Sequence, residues 1–168
     1  MAHALKVINA DRIRMTLDIY TQENVTEEHR NSILTSDACK IHGRVMPREL
    51  EEIYRNADIA LHVESFEKKY RYATRVSFST KIIDLMASSC AILAICWDKH
   101  AGYQYLKGAD AAFCVSDVNG IHALLKKITV EPHLISQYAE KAWNCGKAHH
   151  GISNIQHQIE TEFVKVTE

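Results

Sequence analysis

Lys81, Asp84 and Ser88 recur at i, i+3 and i+7, so on a helix they share one face. Just ahead of them Ser79 and Thr80 open that helix. A helix start offers unpaired backbone N–H groups and the positive end of its dipole to an anion. With Lys81 added, such a site suits phosphates, and the Asp84 carboxylate suits sugar hydroxyls. The chemistry matched by this set is that of a nucleotide diphosphate. Read blandly, the same residues are an exposed Lys–Asp pair that contributes little energy.

The stretch 59–95 must position these groups. Ile59–Val63 is an apolar run of strand length, a basic aromatic loop follows, Ser79–Ser89 reads as a helix, and Cys90–Cys96 is a second apolar strand. Ile82, Ile83, Met86 and Ala87 form the helix face expected to pack on a sheet. A right-handed crossover of this kind sets the helix start beside the carboxyl ends of two parallel strands, the edge where open α/β sheets bind ligands. Glu64 and Ser65 end the first strand at that edge, and Gly43 and Arg44 end an earlier one. Gly43 suits close backbone approach or, equally, a simple turn, and Arg44 would add a basic contact. The loop Phe66–Arg75 carries Lys68, Lys69, Arg71 and Arg75 with Tyr70 and Tyr72. It suits a stacked base, a phosphate or an anionic membrane surface. With no apolar stripe, it is expected to be disordered or held by a neighbour when no ligand is bound. Trp97, Asp98, Lys99, His100 and Gly102 should border the same cleft, with His100 a surface histidine.

Elsewhere the pattern alternates. A short helix over 2–10 precedes a strand at Met15–Tyr20. Asn24 caps a helix to about Leu34, and Ala38–His42 is a strand. Pro47 opens a helix with an apolar stripe of Leu50, Ile53, Tyr54 and Ala57. Tyr103–Leu106 reads as a short helix, Ala111–Val115 as a strand, and Asp117 caps a helix striped by Ile121, Leu124, Leu125 and Ile128. Two further helices carry Ile135, Tyr138, Ala142 and Trp143, then Ile152, Ile155, Ile159 and Phe163, with Gly146 and Gly151 between them. The fold class implied is α/β, a Rossmann-like doubly wound parallel sheet of five strands, covered on both faces, with carboxyl-terminal helices. Residues 1–168 read as one domain. The strand order is 2-1-3-4-5, or the six-strand order 3-2-1-4-5-6 without its first strand.

Composition narrows the classes. Of 168 residues, 46% are apolar and 24% charged, which excludes a mostly disordered chain. A net charge of −1 gives no support to nucleic-acid binding. No apolar run reaches membrane-spanning length and no signal peptide opens the chain. Cys39, Cys90, Cys96, Cys114 and Cys145 show no paired metal-ligand spacing, and adjacent His149 and His150 lack an acidic or cysteine partner, so no metal is expected. Reduced, buried thiols fit a cytoplasmic location.

The segments 59-IALHVES-65, 79-STKIIDLMASS-89 and 91-AILAI-95 resemble the carboxyl-terminal domain of glycosyltransferases with two Rossmann-like domains, the GT-B architecture. The run 41-IHGRVMPRELEEIYRNAD-58 resembles the family's glycine-ended strand, its Leu- and Tyr-bearing helix and its closing Ala-Asp. The resemblance covers most of the chain. It implies a donor-binding domain that helps move a sugar from a nucleotide-diphosphate sugar to an acceptor, with no essential metal and no cofactor. Asp84 would hold ribose hydroxyls. Lys81 would be the catalytic group, stabilising charge on the departing diphosphate. Gly43, Arg44, Glu64, Ser65, Ser79 and Thr80 complete the expected donor contacts. One branch of the family carries a carboxylate where Val76 stands; 79-STKIID-84 matches a branch with Ser or Pro, then Lys, then an acid. Ser88-Ser89 replaces the family's turn glycine, and Ala91 its frequent proline. The resembled domain usually begins with one more strand and a basic loop, whereas this chain starts near the following helix. The acceptor site and catalytic base commonly lie in an amino-terminal domain, so the isolated chain is expected to bind donor weakly and catalyse poorly. A non-catalytic flavodoxin-like interaction domain, or another nucleotide-sugar enzyme such as an epimerase, would share this architecture.

Overall fold

The computed structural model describes residues 1–167. In chain order the elements are α1 (Ala2–Ile8), β1 (Leu17–Tyr20), α2 (Glu27–Ile33), β2 (Cys39–His42), α3 (Pro47–Arg55) and β3 (Ile59–Val63). A 3₁₀ turn at Lys68–Tyr70 leads into α4 (Arg71–Val76), then α5 (Lys81–Ala87), β4 (Ala91–Ile95), α6 (Ala101–Gly108) and β5 (Phe113–Val115). Three helices follow: α7 (Val118–Val130), α8 (His133–His150) and α9 (Ile152–Thr167). No helix is long and apolar enough to cross a membrane among the described residues.

All strand pairing is parallel, as the alternation of strands and helices implies, and the fold is Rossmann-like α/β. The five strands divide into two sheets, β1–β2 and β3–β4–β5. A continuous order 2-1-3-4-5 would need a β1–β3 ladder, which is not formed. The break falls where the six-strand order lacking its first strand leaves a gap.

β4 reads AILAI and is buried at every position. Its residues alternate between two cores: Ala91, Leu93 and Ile95 face one, and Ile92 and Ala94 face the other with Cys90 and Cys96. The first core gathers α1, α7 and the apolar side of β1–β2, through Leu5, Leu17, Cys39, Ile121 and Leu125. The second gathers α5 and α6, through Ile82, Leu85, Met86, Tyr103 and Leu106. Helix α8 serves both, with Leu134 in the first and Ala142 in the second. Coverage on both faces therefore holds for the three-stranded sheet alone. Asp18 and Lys40 stand exposed on the other side of β1–β2, where Tyr20 stacks on His42 with ring centroids 4.5 Å apart.

Several local expectations are corrected. The cap of α2 is Thr26, whose Oγ1 accepts the His29 N–H at 3.2 Å, not Asn24. Helix α5 ends at Ala87 and buries Ile82, Leu85 and Met86; Ala87 is exposed and Ile83 only half-buried. Trp143 is exposed, and α8 buries Leu134 and Ala142 instead. Gly146 lies inside α8 rather than between helices. A Cβ there would meet the Met86 Cβ at 2.9 Å, so the glycine lets α8 pack closely on α5. Ile152, Ile155 and Ile159 remain exposed on α9.

Candidate functional site

Strands β3 and β4 run parallel, so their carboxyl ends deliver Glu64 and Trp97 to one edge. Register pairs Val63 with Ile95, and the Glu64 N–H continues the ladder by donating to the Ile95 carbonyl at 3.1 Å. Helix α5 begins at this edge. The helical turn starts at Ser79 and Thr80, whose carbonyls accept the N–H groups of Ile82 and Ile83 at 3.1 and 3.0 Å. Thr80 sits at the cap position in helical conformation and its side chain makes no capping bond. Lys81 and Asp84 are exposed on the outer face.

Gly102 leaves room for an α5 side chain at this edge. A Cβ on that residue would stand 2.6 Å from Ile82 Cδ1. Its absence lets the start of α6 pack against the start of α5, in the core that also holds Cys96. The Gly102 N–H donates to His100 Nδ1 at 3.0 Å, so the imidazole is the amino-terminal cap of α6. His100 is 2% exposed, and the expectation of a surface histidine is overturned. Capping a helix that packs on the sheet draws the ring inward.

The structure divides the sequence-derived site residues. Glu64, Ser65, Ser79, Thr80, Lys81 and Asp84 all belong to the β3–α5 unit. The charges of Glu64 and Lys81 both act on His62, the last buried residue of β3. Asp84 lies one turn further along α5, where its charge acts on Tyr54 of α3. Ser65 Oγ accepts the Glu67 N–H at 3.1 Å and closes a local turn. Gly43 and Arg44 belong to the β1–β2 sheet instead. Both are exposed, and Gly43 lines an open depression with Thr21, Asn24 and Arg30. No described hydrogen bond or ion pair joins Gly43 or Arg44 to the β3–α5 group.

The segment Phe66–Arg75 forms the 3₁₀ turn and most of α4 rather than an irregular loop. Its anchor is Arg71, whose guanidinium lies 5.0 Å from the Trp97 ring centroid and donates to the Phe66 carbonyl at 3.4 Å. An internal cation–π contact thus holds a segment expected to need a neighbour. Lys68, Lys69, Tyr70, Tyr72 and Arg75 point to solvent.

Spacing arguments missed a second group at this edge. His62, Cys96 and His100 are 3%, 0% and 2% exposed. One ligand-capable atom from each lies within 4.8 Å of the others. His62 Nε2 is buried and has no hydrogen-bond partner within the protein. Burial holds both imidazoles below their ordinary range, against the pull of Glu64, and pushes the Cys96 thiol up to about 12. The signal in the sequence was Cys96-x₃-His100 beside an inward-facing strand histidine; attention to paired cysteines passed over it. His150, by contrast, pairs with the Tyr105 hydroxyl at 2.7 Å, an interhelical polar contact as its position suggests.

The family model of glycosyl transferase-like domains matches residues 6–161. The chain belongs to this glycosyl transferase-like family. No curated protein matches the chain in sequence. The match spans both sheets and seven complete helices beyond α1, including everything that builds the β3–α5 edge of this glycosyl transferase-like domain.

Proposed function

We propose that this glycosyl transferase-like domain is the donor-binding half of a GT-B glycosyltransferase, which moves a sugar from a nucleotide-diphosphate sugar to an acceptor. The observation that carries this reading is the convergence of Lys81 and Glu64 on the carboxyl edge of β3, in a chain of the transferase family. An ammonium group at that edge suits a diphosphate. Lys81 is exposed and makes no described ion pair, so its charge is free for a ligand. Negative charge grows on the diphosphate as the glycosidic bond breaks, and a fixed cation binds that state more tightly than the ground state. Asp84, a turn away on the same face, accepts hydrogen bonds from ribose hydroxyls. Ser79 and Thr80 present the first turn of α5, and Glu64 and Ser65 meet the donor sugar or base. Gly43 and Arg44 would close over the donor from the β2 side.

The acceptor and the catalytic base would come from a second Rossmann-like domain facing this edge. Binding and rate drop when one wall of such a cleft is missing, because positioning of the two reactants is lost. The setting proposed is cytoplasmic. The exposed Lys68, Lys69 and Tyr72 give this domain a cationic, aromatic corner for peripheral contact with an anionic membrane.

Calorimetry of the chain with UDP, GDP, ADP and their sugars tests the assignment. One base should bind measurably. Lys81→Ala and Asp84→Ala should each weaken that binding by about 1.5–3 kcal/mol, the range for a hydrogen bond to a charged group, with unchanged melting temperature. In a two-domain enzyme, Lys81→Ala should lower turnover more than Asp84→Ala does. Two folded variants that bind every nucleotide as the parent does would overturn the site.

A further inference from the structure

We propose that His62, Cys96 and His100 form a binding site for one divalent cation of the zinc class. The three residues come from different places in the sequence. His62 is the fourth residue of β3, Cys96 follows the last residue of β4, and His100 caps α6. Register places His62 opposite Ala94, so Cys96, two residues on, lies on the same side of the sheet. Their ligand-capable atoms already lie within 4.8 Å of one another. Around a tetrahedral zinc ion, nitrogen and sulfur ligands stand roughly 3.3–3.6 Å apart, from bonds of about 2.0–2.3 Å. Closing the remaining distance takes a side-chain adjustment of about an ångström.

Chemistry selects the ion. Two imidazoles and a thiolate form a borderline-soft donor set, suited to zinc rather than to magnesium or calcium, which take oxygen ligands. Burial argues in the same direction. A polar group with no partner is costly inside a protein, yet His62 Nε2 is buried without one. The neighbouring His100 ring lies 5.7 Å away, centroid to centroid, and forms no hydrogen bond with His62. A cation would satisfy His62 and draw the three side chains together. The Cys96 thiol would give up its proton to solvent as the metal–sulfur bond forms. Three protein ligands leave the fourth tetrahedral position for water or an anionic oxygen.

Among the features that oppose binding, the cap of α6 supplies a diagnostic. His100 Nδ1 accepts the Gly102 N–H at 3.0 Å. Coordination through Nδ1 takes that lone pair. Coordination through Nε2 moves the ring proton onto Nδ1. Either way the cap on α6 is released, so metal binding should shift the Gly102 amide resonance and speed its hydrogen exchange. Other cysteines and histidines lack this arrangement: among the described residues no second cluster of three metal-ligating side chains is formed.

The full chain, free of any affinity tag and stripped with chelator, should bind one Zn(II) per molecule against a chromophoric competitor. Co(II) in its place should give a thiolate-to-cobalt charge-transfer band and tetrahedral d–d absorption. Cys96→Ala should abolish the band and weaken Zn(II) binding by about 100-fold or more. His100→Asn keeps an acceptor at the α6 cap, so it should fold as the parent does and still lose the metal. His149→Ala, at an exposed histidine, should change nothing. Absence of the charge-transfer band in the folded parent would overturn the site by itself. So would Zn(II) binding that survives in His100→Asn at parental affinity. Nucleotide binding is read separately, so loss of the metal site leaves the donor reading standing.

Discussion

The β1–β2 pair and the β3–β4–β5 sheet share parallel pairing but differ in cover. In β1–β2, Leu17, Ile19, Cys39 and Ile41 face one way and Asp18, Tyr20, Lys40 and His42 the other. That alternation suits a sheet with one wet face. In β4 no position is exposed, and both rows of side chains are core. The chemistry follows the difference. Polar groups at the end of β1–β2, Gly43 and Arg44 among them, lie in water. At the end of β3–β4, His62, Cys96 and His100 are buried while Lys81 is exposed.

The largest expected effect separates the two sheets by truncation. Leu93→Ala removes a side chain with no exposure and should cost about 2–5 kcal/mol in urea unfolding, transfer and cavity terms together. Ile41→Ala, in the half-covered sheet, should cost about 1–2 kcal/mol. Equal losses would erase the distinction drawn here.

A smaller effect, with opposite sign, concerns the turns. Both non-glycine residues with left-handed backbone among the described residues, Ser89 (φ 64°) and Asp110 (φ 49°), feed the three-stranded sheet. Ser89 occupies the α5–β4 turn where the resembled family has glycine. Left-handed backbone strains an L-residue by roughly 1–2 kcal/mol, while glycine adds unfolded-state entropy. Ser89→Gly should therefore gain about 0.5–1 kcal/mol, read as a raised melting temperature. A lowered one would mean that the Ser89 side chain contributes more than its backbone costs.

The smallest effect is a pH dependence at the other turn. Lys141 Nζ and the Tyr138 hydroxyl donate to Asp110 at 2.5 and 3.2 Å, and the Lys141 bond holds that carboxyl below its ordinary range. Its folded pKa lies below the unfolded value, so the stabilisation is complete above about pH 3.9 and is lost as pH falls through the folded pKa. Asp110 is mostly exposed, which keeps the effect small. Asp110→Asn should be less stable than the parent at neutral pH, and the gap should narrow as pH falls below about 3.9, closing once the folded carboxyl is protonated. A gap that persists there would assign the contact to the neutral side chain.

Periodicity carried much of this fold. The strand at Ile59–Val63 was legible because five apolar-rich residues were bounded by polar ones, and α7 because Asp117 preceded an i, i+3, i+4, i+7 stripe. The Asp117 carboxylate does accept the Gly120 N–H, at 2.8 Å. Where two helical faces were nearly equally apolar, the pattern misled. On α5 the expected face took in Ile83 and Ala87 and left out Leu85, whereas packing buries Leu85 and leaves Ala87 exposed. Trp143 fell on the helical spacing of a stripe and is exposed.

By itself the sequence determined what local spacing can determine: the class of every strand and of every helix but α4, the parallel alternation, the glycosyl transferase-like family, and the shared face of Lys81 and Asp84. Those properties depend on residues a few positions apart, joined by backbone geometry. The tertiary structure alone decided that β1 and β3 form no ladder, that Gly43 and Arg44 lie at the end of a different sheet from the one α5 and Lys81 flank, and that His62 meets Cys96 and His100. A strand residue, a strand-end thiol and a helix cap separated by 34 and 4 positions carry no common period. Only the register of β3 on β4 and the packing of α6 on the ends of β4 and β5 bring them within reach of one ion.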